Sequence, residues 1–160
     1  MADNVQVIRP TDTDARSLAR GLVRGAAAAA LATLGPSQAP LSTLTSVVAD
    51  MDGAPVILVS ALSAHTTNLK ADPRACLLFS RTGKGDPLAH PRVSVSGVFE
   101  VVARDGAEHA RIRARFLSRQ PKAELYVDFP DFAFLKLSVL SASLNLSLIH
   151  ISEPTRLRRI

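Results

Sequence analysis

Among its 160 residues the chain has one cysteine, no tryptophan and one tyrosine, and it nowhere runs 18 uncharged apolar residues together. A single thiol excludes an intrachain disulfide and a cysteine-built zinc site, and the position of Cys76 inside "ACLLFS" suits a small buried hydrophobe. The missing apolar run argues against a membrane-spanning helix, and Met1 to Arg9 carries no basic leader followed by an apolar core. The expectation is therefore a cytoplasmic protein that works away from membranes. His65, His90 and His109 are far apart with no HxH or HExxH spacing, which makes a metal centre a poor reading. No serine sits in the GxSxG frame of a nucleophile elbow, and "TGKGDP" lacks the GxxxxGK[ST] spacing of a phosphate loop.

What is present suits one domain: 47% of the residues are hydrophobic, enough to bury a core at this length. The formal net charge is +5, from 19 basic and 14 acidic residues. Three of those basic residues (Arg156, Arg158, Arg159) and one acidic residue (Glu153) lie after residue 145, so the remainder holds 16 against 13, or +3. With no basic run, nucleic acid is not an expected partner. Arg111, Arg113, Arg115 and Arg119 interleave with Ile112, Phe116 and Leu117 on one helical segment and read as a solvated basic face.

Along the chain, "RPTDTDARSLARGLVRG" predicts a helix from about Asp12 to Arg24, with Thr11 as cap and Asp14 three positions on. "AAAAALATL" favours helix on local propensity, although Gly25 and Gly35-Pro36 isolate a piece of strand length. "PLSTLTSVVA" and "APVILVS" flank "DMDG" as a hairpin, "AHTTNLKADP" is a short helix stopped by Pro73, and "RACLLFS" is a strand. "RVSVSGVFEVV" alternates as a strand with one wet face, "DGAEHARIRARFLSRQP" is amphipathic, and "FAFLKLSVLSASL" closes as a strand. Strands that follow one another through short turns predict a small antiparallel barrel.

"SALSAHTTNLK" gathers Ser60, Ser63, His65, Thr66, Thr67, Asn68 and Lys70 at a strand end and a helix start. Hydroxyls, an imidazole and free amides there suit an anion, while a polar turn with ordinary capping is the more economical reading of the residues alone. Lys84 lies in a mobile-looking glycine loop, within reach of an anionic ligand. Asp128 and Asp131 flank "FPDF", where packing and turn capping account for the cluster.

Over about Ser17 to Asn145 the chain resembles the FMN-binding split-barrel superfamily, in its pyridoxamine 5'-phosphate oxidase-like, heme-utilisation branch; "HTTNLKADPRACLL", "GKGDPLAHPR" and "ARFLSRQPKAELYVDFPDFAFLKL" carry the likeness. The resemblance implies a mainly β (α+β) fold, a six-stranded antiparallel split barrel with flanking helices, in which "AALATL" is the first strand. It implies a homodimer with FMN at the interface, acting on a small-molecule substrate as a flavin-dependent oxidoreductase. Carried over by position, the cofactor-binding residues are Thr43, Ser46, Ser60, Ser63, His65 and Thr66, with Lys84 added from its loop. The oxidases proper also place an arginine on the strand occupied here by "STLTS" and a lysine near His65, and neither cation is present. Heme is the alternative ligand implied, and a cofactor-free binding module is the third reading.

"LSLIHISEPTR", Leu146 to Arg156, resembles a translated sequencing-library adapter. Residues 1–145 are therefore expected to form the split-barrel domain, C-terminally truncated, and 146–160 a non-native tail whose His150 is not a ligand. The alternation in "LSLIHI" still permits a strand there.

Overall fold

The computed structural model describes residues 12–81, 83–147, 150 and 151. Helix α1, Thr13–Gly25, starts at Asp12, whose carboxylate accepts from the Ala15 amide at 2.7 Å. The cap is thus Asp12, which puts a negative charge at the positive end of the helix dipole; the expected cap, Thr11, lies outside the described residues. Ala19, Leu22 and Val23 form its buried stripe.

The alanine run is not a helix. Ala28–Leu34 form strand β1, in which Ala29, Leu31 and Thr33 point inward. The nine residues between Gly25 and Gly35 are too few for a self-supporting helix, whereas a strand between β2 (Pro40–Ala49) and β4 (Arg74–Ser80) satisfies its backbone on both edges. The predicted hairpin joins β2 to β3 (Pro55–Ser60), and helix α2 (Ala64–Ala71) leads to β4. Strand β5 (Arg92–Val101), helix α3 (Ala107–Arg119) and β6 (Phe132–Ser147) complete the fold. A two-residue β7, His150–Ile151, pairs with the end of β6, as the alternation beyond Asn145 allows.

The strands run in the order β3-β2-β1-β4-β5-β6, all antiparallel, and β3 pairs with β6 from Val56↔Lys136 to Ser60↔Phe132. That last pairing closes the sheet into the expected six-stranded barrel. Leu31, Val47, Ile57, Leu77 and Phe79 fill its interior, and Leu22 and Val23 of α1 pack into the same cluster. Ile112 and Phe116 of α3 cover Val48, Val56 and Phe134 on the outside. At the β5–β6 bulge Gly97 is required by close approach, since a Cβ there would run into the Ser138 carbonyl. Cys76 is only half-buried and lies on the outer face, not in the core. No helix among the described residues is long and apolar enough to cross a membrane.

The arginines of α3 lie at the surface, Arg111 and Arg119 exposed and Arg113 and Arg115 half-buried, but all four are bonded within the protein. Asp50, 1% exposed, accepts from the Arg111 guanidinium, from Lys136 Nζ at 2.8 Å and from the Met51 amide at 2.7 Å. Lys136 also meets Asp52 and Glu108, each at 3.0 Å. Arg115 donates to the Ala49 carbonyl, Arg113 pairs with Asp128, and Arg119 reaches the Arg24 carbonyl. The helix docks on the β2–β3 turn, and packing brings its cations to acceptors that sequence spacing does not reveal.

Burial by itself would raise the Asp50 pKa, but the hydrogen bonds from Arg111 and Lys136 outweigh it and hold the carboxyl far below the ordinary range. A folded-state pKa below the unfolded one gives stability that is complete above the unfolded value, about 3.9, and is lost as pH falls beneath it. Asp50→Asn is expected to cost about 2–3 kcal/mol in denaturant unfolding at pH 7, below the cost of breaking a fully sealed pair because Arg111 and Lys136 are partly solvated. The gap between variant and wild type should narrow on acidification below pH 4.

Candidate functional site

Strand β3 stops at Ser60 because its partner β6 begins at Phe132 and the chain must turn there into α2. The turn is tightly bonded. The Ala61 amide donates to the Asp131 carbonyl at 2.7 Å, the Leu62 amide to Ser60 Oγ at 3.2 Å, and the Ser63 amide to the Ser60 carbonyl at 3.1 Å. Ser63 is the N-cap of α2 by backbone position, with its carbonyl accepting from the Thr66 and Thr67 amides, but its hydroxyl makes no capping bond.

Five of the seven sequence-derived residues meet at this end of the barrel. Thr66 Oγ1 donates to the Ser60 carbonyl at 2.7 Å, and Ser60 Oγ donates to Asp131 Oδ2 at 2.8 Å. Thr43, on the barrel-facing side of β2 with Thr45 and Val47, places Oγ1 3.2 Å from His65 Nδ1. Ser46 is three residues on from Thr43, so strand alternation turns it to the opposite side of β2 with Ser42 and Leu44. Lys84 is exposed in the β4–β5 loop and forms no hydrogen bond or ion pair with the cluster among the described residues. Asn68 turns inward, donating to Thr33 Oγ1 at 3.0 Å; this buried pair anchors α2 to β1 and leaves no group for a ligand.

The residue that sequence reasoning missed is Asp131. Its "FPDF" setting reads as a turn, and only the β3–β6 register brings its carboxylate to Ser60, 71 positions away. Burial pushes the His65 pKa below its ordinary 6.5, so the imidazole is neutral at pH 7. Its Nε2 makes no hydrogen bond among the described residues and is not sealed from solvent.

These groups do not fit the phosphate of FMN. A phosphate dianion needs several free donors or a cation. Here the hydroxyl protons of Ser60 and Thr66 are already given to Asp131 and to a carbonyl, His65 is uncharged, and no Lys or Arg side chain joins the cluster among the described residues, which leaves the Ser63 hydroxyl as the one that makes no capping bond. They do fit a neutral nitrogen ligand: an imidazole whose Nδ1 is tied to a hydroxyl and whose Nε2 is open is the usual form in which histidine meets a metal. No group of three or more metal-ligating side chains exists among the described residues, so a bare ion has no site.

Comparison with known proteins adds context. The family model described as pyridoxamine 5'-phosphate oxidase matches residues 17–144. The non-canonical heme oxygenase HOZ of Arabidopsis thaliana chloroplasts is 32% identical over 98 residues, which are 61% of this chain and 29% of that protein. The structure of a heme binding protein from Mycobacterium smegmatis is 31% identical with a TM-score of 0.81, covering 93% of this chain and 59% of that one. The chain thus spans under two thirds of either relative. HutZ, a heme storage protein from Vibrio cholerae, shares the fold at 17% identity and a TM-score of 0.71, over 82% of this chain and 93% of HutZ.

A His65 imidazole titration by NMR is expected to give a midpoint below 6.5. Since the unfolded chain takes up a proton that the folded state resists, His65 should also lower stability as pH falls through and below that value.

Proposed function

The chain belongs to the pyridoxamine 5'-phosphate oxidase family, and we propose that within it the protein binds heme, as a homodimer, in the service of heme utilisation. The observation that carries this reading is the neutral, half-buried His65, tied at Nδ1 to Thr43 and unbonded at Nε2 among the described residues. Two relatives of 31% and 32% identity that are named for heme support it. A heme is a largely apolar plane with both carboxylates on one edge, so its remaining perimeter can lie in the cleft around His65 without a clamp. When bound, it would supply a redox-active iron. This chain's part would be to present His65 Nε2, with Thr43 fixing the ring through Nδ1.

The dimer reading is supported by the outer face of the barrel. Register aligns Leu44, Ala30, Leu78 and Ser94 in one row across β2, β1, β4 and β5, with Ser42, Ala32, Cys76 and Ser96 beside them. None is charged, and Leu44 is 76% exposed. A second copy covering this face would remove apolar area from water and enclose Ser46 nearby.

An FMN-dependent oxidoreductase acting on a small molecule is the second reading, favoured by the family's description and opposed by the committed donors of the cleft. The family match ends at residue 144, which supports taking 1–145 as the functional domain and leaving the 146–160 tail, His150 included, out of the ligand set.

Hemin titrated into the purified protein is expected to give a Soret band, and His65→Ala to shift its maximum and weaken binding by about ten-fold or more. A bound-flavin spectrum without a Soret band would transfer the protein to the oxidoreductase reading. No uptake of either cofactor would leave the cofactor-free module.

A further inference from the structure

We propose that Asp131 determines the ligand class at the start of α2: it is a built-in anion that occupies the Ser60 hydroxyl a phosphate would need and repels one that approaches. The inference rests on the cleft around His65 being the ligand site, as proposed above.

The start of α2 is the place where this chain offers hydroxyls and helix-end amides to an anion. Asp131 has reached it first. Its Oδ2 accepts the Ser60 hydroxyl proton, and Ser60 Oγ in turn accepts from the Leu62 amide, so both of these donors are satisfied from within the protein while the Ser63 hydroxyl makes no capping bond. A hydroxyl has one proton, and while Asp131 holds it Ser60 can present only lone pairs to a newcomer.

The carboxylate is also held in place. Its own carbonyl accepts from Ala61, and the β3–β6 ladder begins one residue later at Ser60↔Phe132. Arg104 clamps the same turn by donating to the carbonyls of Phe129 and Phe132, on either side of Asp131. That guanidinium is bonded to main-chain oxygens, and the nearby Arg113 is paired with Asp128, so neither is bonded to Asp131. Asp131 is therefore left without a directly bonded cation among the described residues.

The consequence is a preference between ligands of similar size. A planar ligand that brings no phosphate meets no penalty at this corner, and one that ends in a phosphate meets a fixed like charge. Removing the carboxylate should release the Ser60 proton and lift the repulsion at one stroke.

FMN and riboflavin share the flavin ring and ribityl chain and differ by the phosphate, so their affinity ratio isolates this effect. The wild-type chain is expected to bind FMN no tighter than riboflavin in fluorescence-quenching titrations. Asp131→Ala should bind FMN about ten-fold tighter than wild type, with riboflavin affinity unchanged and Asp131→Asn, which keeps an acceptor for Ser60, in between. A wild-type preference for FMN over riboflavin of about ten-fold overturns the proposal without recourse to any variant. So does a folded Asp131→Ala protein, checked by circular dichroism, whose ratio stays at the wild-type value or which binds no FMN. Hemin titrated into the same samples separates the two ideas: a shifted flavin ratio with no Soret band sinks the heme reading and leaves the role of Asp131 standing.

Discussion

Strand β3 pairs with β6 across some 75 residues of intervening chain, through five positions from Val56↔Lys136 to Ser60↔Phe132. Without it the sheet is open, with β3 an unprotected edge and the Leu31–Ile57–Leu77 interior exposed along one side. Two charged features of the molecule sit on this seam. At one end Lys136 is delivered to the buried Asp50, and at the other Asp131 is delivered to Ser60. Closing the barrel and assembling the cleft are therefore the same event, and neither the helix α3 dock nor the site has its geometry until that non-local pairing is made.

The two carboxylates illustrate opposite uses of charge. Asp50 is sealed and surrounded by cations, so its ionised form is favoured and its work is to hold the β2–β3 turn, α3 and β6 together. Asp131 accepts from a neutral hydroxyl in a half-buried position and has no directly bonded cation among the described residues. His65 completes the contrast, because burial keeps it uncharged where the family resemblance leads one to look for a cation. A neutral imidazole is suited to ligation by nitrogen and ill suited to gripping phosphate.

Much of the architecture was legible in advance. The hairpin at "DMDG" announced itself by strand-like runs around a short turn, and β5 by strict alternation from Arg92 to Glu100. The alanine run misled, since helix propensity is a local quantity and β1 is a strand because two neighbours need it as one. The cleft was half legible. Ser60, Ser63, His65 and Thr66 are adjacent in sequence and polar in type, and Thr43 came through family likeness. Asp131 looked like a turn residue, and the arginines of α3 looked like a solvated face, because partners as distant as Ser60 from Asp131, 71 positions, and Asp50 from Arg111, 61 positions, leave no mark on local pattern.

The sequence by itself determined the element types other than β1, the single thiol, and the absence of a lysine or arginine from "STLTS" and "SALSAHTT", all of which are matters of composition and near-neighbour spacing. Tertiary structure decided which hydroxyl protons remain free, which charges are cancelled and on which side of β2 Thr43 and Ser46 lie. The division has a physical cause. Hydrogen-bond commitment, burial and electrostatic pairing are properties of atoms brought within a few ångströms, and in a closed barrel that proximity is set by strand register between segments the chain separates widely.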